Sequence, residues 1–269
     1  MSHFYNKDGV LYDTIPNKSR PGEVRDFTLA DARKHYEATG EILFSSVSTE
    51  LQVLARPELN LWFNEQAIKQ SLADPHDGTE DRKAYIRKIA LRAGDEGKRA
   101  ADYGTEIHGF IAEFLGGKKR TRQDFIASKH IAEAVCEWLK KEGYHSIQPE
   151  EHVVNSELGV AGTIDLRCLK LDPLYPCPVH GLQKPYPAMG NCTCFKILGD
   201  FKTTTPPLTY RKEHGYQVAG YDAILGGWAD ERHILYINRE TIGDVSRVLC
   251  TEPQRDDRIW ALVHQLWSE

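Results

Sequence analysis

The sequence has no apolar run near the ~18–20 residues that a membrane span requires. Its start, MSHFYNKDGV, lacks a basic segment followed by an apolar one, so no secretory signal is expected. The Arg- and Ser-rich, acid-poor character of an organelle transit peptide is missing as well, and a cytoplasmic location is expected. Cysteine is sparse, with 6 in 269 residues, which argues against a disulfide scaffold. Strong positive charge is also absent: a net charge of −5 excludes a bulk-cationic nucleic-acid coat, though not a local basic surface. There is no internal repeat and no low-complexity tract. The chain is 41% hydrophobic, 27% charged and 10% aromatic, enough to build a core and too apolar for disorder as the main state.

Periodicity divides the chain. Residues 1–44 are mixed and polar, interrupted by Pro16 and Pro21. Within them 26–40 reads as a short helix, with Thr28 a candidate N-cap and Gly40 at its stop. Ser48 is a candidate cap for the next helix, and Pro57 breaks that segment. Residues 80–100 predict a basic helix, 104–115 a separate one that ends at GGKK, and 125–141 an amphipathic one. After Gly143 the period changes. Residues 150–158, 160–169 and 195–203 are short Val-, Ile- and Phe-rich runs, expected to be strands. A helix follows over 210–225, then strands at 233–240 and 246–250, and a terminal amphipathic helix. The expected class is α/β, with helices flanking a small mixed sheet. The expected organisation is an N-terminal helical region over 1–100, a core over 101–269, and an insertion over 171–194.

Two segments carry the chemistry. GVAGTID sets Asp165 near the far end of one strand, and ILGDFKT sets Asp200 and Lys202 two residues apart on the next. Strand alternation puts Asp200 and Lys202 on one sheet face. If the strands pair, Asp165 sits beside Asp200. Two carboxylates aimed at one spot repel unless a cation lies between them, and oxygen ligands suit Mg²⁺ or Mn²⁺. A charged D-x-K pair inside the apolar run of Ile197, Leu198 and Phe201 is costly without a function. Lys202 beside such a centre would orient water and offset developing negative charge.

Taken in order, these pieces resemble the PD-(D/E)xK nuclease superfamily, in the branch holding the RecB nuclease domain, the mitochondrial genome maintenance exonuclease and many phage exonucleases. GTEIH resembles the family's helix motif with a metal-binding histidine, here His108. SELGVAGTID is similar to E-x-x-x-x-G-x-x-D, giving Asp165, with Glu157 in its acidic position. ILGDFKT matches D-x-K, and YQVAGYDAIL matches Q-x-x-x-Y, giving Gln217 and Tyr221. SSVSTELQVLARPELNLW resembles an N-terminal S-V-T-x-x-L…W segment of phage and mitochondrial members. The resemblance spans roughly residues 45–225 and implies a restriction-endonuclease-like core. It implies metal ligation by His108, Asp165, Asp200 and the carbonyl of Phe201, with Lys202 activating water and Gln217 and Tyr221 beside it. Glu157 is a candidate second-metal or supporting residue. The implied activity is DNA hydrolysis with Mg²⁺ or Mn²⁺ and none with Ca²⁺ alone, by an exonuclease acting in replication, recombination or repair. The style of the sequence fits a phage or bacterial source. The alternatives are a structure-specific or nicking endonuclease, a non-catalytic DNA-binding protein, and a zinc-centred interaction scaffold.

The insertion holds Cys177, His180, Cys192 and Cys194, two tight pairs of soft ligands among Pro and Gly, which suit a tetrahedral structural Zn²⁺. Between Arg82 and Arg122 there are 11 Lys or Arg against 5 Asp or Glu, a net +6 in a negative chain. With the family resemblance, Arg87, Lys88, Arg92, Lys98, Arg99, Lys118, Lys119 and Arg120 become a candidate phosphate track. The expected partner is DNA, with a recombination or single-strand-binding protein as a further candidate and no membrane.

Overall fold

The computed structural model describes residues 2–54, 57–116, 126–171, 194–206 and 210–268. The N-terminal strands are β1 (Phe4–Tyr5), β2 (Leu11–Tyr12), β3 (Thr14–Pro16) and β4 (Val24–Asp26), followed by helix α1 (Leu29–Thr39) and strand β5 (Phe44–Ser46). Helices α2 (Val47–Glu50), α3 (Pro57–Ala73), α4 (Arg82–Phe114) and α5 (Ile126–Lys141) come next. The remainder is β6 (Tyr144–Asn155), β7 (Val160–Lys170), β8 (Phe195–Thr204), α6 (Lys212–Ile224), β9 (Glu231–Asn238), β10 (Val245–Leu249) and α7 (Pro253–Ser268).

The chain is a mixed sheet flanked by helices. Its strands run in the order β10-β9-β8-β7-β5-β1-β2, with β6 also paired to β7, and β3 and β4 form a separate ribbon. β7 is antiparallel to β6 and β8, whereas β8 and β9 are parallel and joined through α6. Along β9, Ile234 and Tyr236 pack in the core beneath α6 and α7, while Leu235 and Ile237 pack in the core beneath α4 and α5. A strand covered on both faces reads as a continuous apolar run, which is why ILYI has no polar alternation. Leu198 and Ile234 have no exposure. Each such side chain contributes roughly 1.5–3 kcal/mol by leaving water.

Helix ends follow local chemistry. Thr28 caps α1 and forms a capping box with Asp31, and Gly40 closes the helix at φ 72°. The cap of α2 is Ser46, which accepts the Thr49 N–H at 3.1 Å, two residues before the expected Ser48. Asp81 caps α4 through the N–H groups of Lys83 and Ala84.

Two expectations differ from the fold. Residues 82–114 form one helix of 33 residues, about 50 Å long, and not two; the division at 100/101 falls inside it. Gly104 is the reason: a Cβ there would lie 2.5 Å from Thr203 Oγ1, so the glycine permits close packing on β8 and does not break the helix. The N-terminal 100 residues are also not purely helical, because β1, β2 and β5 belong to the main sheet and Phe4 packs with Phe27 and Ala32 beneath it.

Candidate functional site

β7 divides one of its edges between two strands. Leu166 to Lys170 pair with β8, while Val160 and Ala161 pair with β5. The β8 ladder stops at Leu166↔Gly199, one step before the register would set Asp165 opposite Asp200. On the other edge, the pairs pass from Glu151↔Ile164 to Pro149↔Leu166, and the intervening Glu150 has φ 51°. The strand turns its faces here. Ile164 packs beneath α6 and α7, but Leu166, two residues on, packs beneath α4 and α5. Asp165 therefore sits at an interruption in the ladder, and its Oδ2 accepts the Phe201 N–H at 2.9 Å.

Four elements bring side chains to this point. From α4, His108 Nδ1 lies 3.5 Å from Asp165 Oδ2, and its ring meets Phe201 edge-on at 5.8 Å. From β8, Asp200 and Lys202 share the face of Leu198, with Lys202 Nζ 2.6 Å from Asp200 Oδ2. From α6, Gln217 Oε1 accepts from Lys202 Nζ at 3.0 Å, and Gln217 Nε2 donates to Tyr221 Oη at 2.8 Å. Tyr221 lies against Gly162, where a Cβ would stand 2.6 Å from the ring. The glycine of the G-x-x-D motif thus makes room for the tyrosine of the Q-x-x-x-Y motif. Gly162→Ala is expected to destabilise the fold by about 1–3 kcal/mol through this overlap and to slow any reaction at the site by moving Tyr221 off Gln217. Urea unfolding checks the first effect, and an unchanged midpoint would contradict it.

The electrostatics are those of a dry cluster of opposed charges. Burial works against an ionised Asp165, yet His108, Lys202 and the Phe201 N–H hold its pKa below the usual carboxylate range. Burial likewise works against a charged His108, but the Asp165 carboxylate outweighs it and raises the imidazole. Burial pushes Asp200 up to about 6, and the Asp165 charge adds to this against the pull of Lys202. Asp200 is 1% exposed, and the Lys202 ammonium 2.6 Å from its Oδ2 is the charge that faces it. Burial lifts Tyr221 well above its ordinary range, with both carboxylates adding to the effect.

A stability prediction follows for Asp200→Asn in the metal-free protein. The raised pKa means that the native state holds a proton the unfolded chain has released between pH 3.8 and about 6. Wild-type stability therefore falls as pH rises through that window. The amide has no such penalty. Its Tm should match wild type below pH 3.8 and exceed it above pH 6 by at least about 2–4 °C, the shift that 1 kcal/mol gives a domain of this size. Calorimetry in chelator checks this, and a lower variant Tm at neutral pH would contradict it.

A buried carboxylate, a second carboxylate and an imidazole are a donor set that fits a hard divalent ion such as Mg²⁺ or Mn²⁺. Among the described residues, no three His, Cys, Asp or Glu side chains close into a ready metal cage. Each carboxylate instead has a nitrogen beside it, Asp165 the His108 imidazole and Asp200 the Lys202 ammonium.

Other expected residues lie elsewhere. Glu157 is exposed in the turn between β6 and β7, where its N–H donates to Asn155 Oδ1, and it does not join the cluster. The basic track is partly engaged by acids. Lys88 Nζ lies 2.8 Å from Glu80 and 3.2 Å from Asp74, Arg92 lies 2.7 Å from Asp74, and Arg99 pairs with Glu96. Arg87 is exposed. Lys98 and Arg99 border a hollow of about 900 Å³ along α4, beside Tyr103 and Arg239, that holds no member of the cluster. Lys118, Lys119 and Arg120, like Cys177, His180 and Cys192, lie outside the described residues. Cys194 is described: its Sγ is 3.4 Å from His145 Nε2, a contact that sequence spacing did not single out. A cleft of about 610 Å³ opens beside Lys202 and Gln217, and its wall includes Arg211 and His214, also missed.

Among the described residues, no helix is long and apolar enough to cross a membrane. Compared with known proteins, the chain matches no family model and no curated relative.

Proposed function

We propose that the chain is a divalent-metal-dependent deoxyribonuclease of the PD-(D/E)xK kind, working as a DNA exonuclease in replication, recombination or repair. The observation that supports this most is the meeting of His108, Asp165, Asp200 and Lys202, from three separate elements, at one point where two carboxylates, an imidazole and an ammonium converge. Hydrolysis of a phosphodiester needs a water nucleophile and relief of charge at phosphorus. When bound, Mg²⁺ or Mn²⁺ supplies Lewis-acid stabilisation and makes water a stronger nucleophile. His108, Asp165, Asp200 and the Phe201 carbonyl are the groups that would hold it.

The chain's own groups do the rest. Lys202, held between Asp200 and Gln217, has an ammonium proton to direct at the attacking water and positive charge to offset that on the phosphoryl oxygens. Gln217 fixes the ammonium, and Tyr221 fixes Gln217. The Phe201 N–H keeps Asp165 aimed at the same point. On this proposal the sheet and its helices are a restriction-endonuclease-like core. The insertion over 171–194 carries a structural Zn²⁺ on Cys177, His180, Cys192 and Cys194, two tight pairs of soft ligands.

End-labelled linear single-stranded and duplex DNA, and circular DNA, incubated with Mn²⁺ or Mg²⁺, test the proposal. Linear DNA should be degraded and circular DNA resist. Cleavage of the circle would favour an endonuclease, and inert linear DNA in both ions would end the proposal.

A further inference from the structure

The cleft beside Lys202 holds a feature that neither the metal cluster nor the basic track explains. His214, Gln217 and Tyr221 run down one side of α6, about one turn apart, and Arg211 is the exposed N-cap residue just before the helix. The lower two serve Lys202. The upper two, with Ser48, Lys202 and Gln217, border the cleft, and Glu213 is the acid on its rim. Arg211 is exposed and, among the described residues, has no carboxylate within salt-bridge distance, unlike Lys88, Arg92 and Arg99. Its backbone is fixed, however: the Arg211 N–H donates to Tyr236 Oη at 3.0 Å. His214 Nδ1 lies 2.9 Å from that same oxygen.

We infer that Arg211 and His214 form a phosphate-binding subsite next to the scissile position, which takes a strand phosphate other than the one being cleaved. This rests on the nuclease proposal for the neighbouring cluster. The Arg211 guanidinium presents donors of the kind a phosphate oxygen accepts, and His214, Ser48 and Lys202 line the same cleft. The shared chemistry is a nucleic-acid phosphate. It is either a terminal phosphomonoester, which would set the end that is engaged, or an internal phosphodiester, which would set register.

The test measures binding and needs no hydrolysis, so it stands apart from the nuclease assay. Arg211→Met and Arg211→Lys are made in the Asp200→Asn chain. Anisotropy is read with internally labelled single-stranded oligonucleotides bearing a 5′-phosphate, a 3′-phosphate or hydroxyls at both ends, over a range of salt. Arg211→Met should weaken binding about tenfold and lower the slope of log K against log salt by ~0.7, the loss of one single-strand phosphate contact. Arg211→Lys should keep the slope. Loss confined to one phosphorylated end assigns a terminal phosphate, and equal loss on all three assigns an internal one. Unchanged binding in Arg211→Met, or equal loss in Met and Lys variants, would overturn the subsite. Absence of hydrolysis by the wild-type chain with these binding effects intact would count against the nuclease proposal alone.

Discussion

Asp200→Ala should lower the rate of DNA hydrolysis by at least about 10³-fold, in Mn²⁺ as well as Mg²⁺, with the fold intact. Asp200 is almost fully buried at the point where β8 meets the gap in β7. Two buried carboxylates brought to one point repel, and Lys202 alone does not offset both, since burial and the Asp165 charge still raise the Asp200 pKa. Removing it deletes one ligand and leaves Lys202 without its partner at 2.6 Å. Several kcal/mol of charge stabilisation are then lost, and each 1.36 kcal/mol is tenfold in rate. The same logic makes Asp200→Asn inactive yet more stable without metal. Single-turnover cleavage of end-labelled DNA, with circular dichroism on the same samples, measures both. Robust cleavage by the alanine variant in Mn²⁺ would refute the assignment of Asp200.

Lys202→Met should reduce hydrolysis by roughly 10²–10³-fold, within the range for a positioned proton donor or a charge aimed at the transition state. The methionine keeps the length of the stem but removes the ammonium that bridges Asp200 and Gln217. Binding of DNA should change far less than kcat, because one charge among several is lost. Lys202→Arg should not rescue, since a planar guanidinium cannot take both partners at 2.6 and 3.0 Å in the same space. Steady-state kinetics distinguish the cases, and a variant that loses only affinity would reassign Lys202 from the reaction to binding.

How far the site was legible can be followed residue by residue. Period-two alternation is a strict rule, so Asp200 and Lys202 could be set on one face from ILGDFKT, and Leu198 lies on that face. The interruption at Asp165 was not legible, because it depends on how β5, β6 and β8 compete for the edges of β7. The continuity of α4 through 101–103 was not legible for a different reason: the close approach of Gly104 to Thr203 depends on β8, far away in sequence. The N-terminal strands have only two or three residues, too few to show a period. Charge counting over 82–122 could not see that Lys88 and Arg92 meet Asp74 and Glu80, acids just outside the window. Arg211 and His214 belong to no motif, and only the turn of α6 sets them above Gln217.

One measurement bears most directly on the central claim, that the buried cluster is a divalent-metal centre. Mn²⁺ titration followed by electron paramagnetic resonance compares the wild-type chain with the Asp165→Asn, Asp200→Asn double variant near neutral pH. The account predicts Mn²⁺ bound by the wild type and lost from a double variant that remains folded. Equal Mn²⁺ binding by both, or none by the wild type even with DNA present, would contradict it.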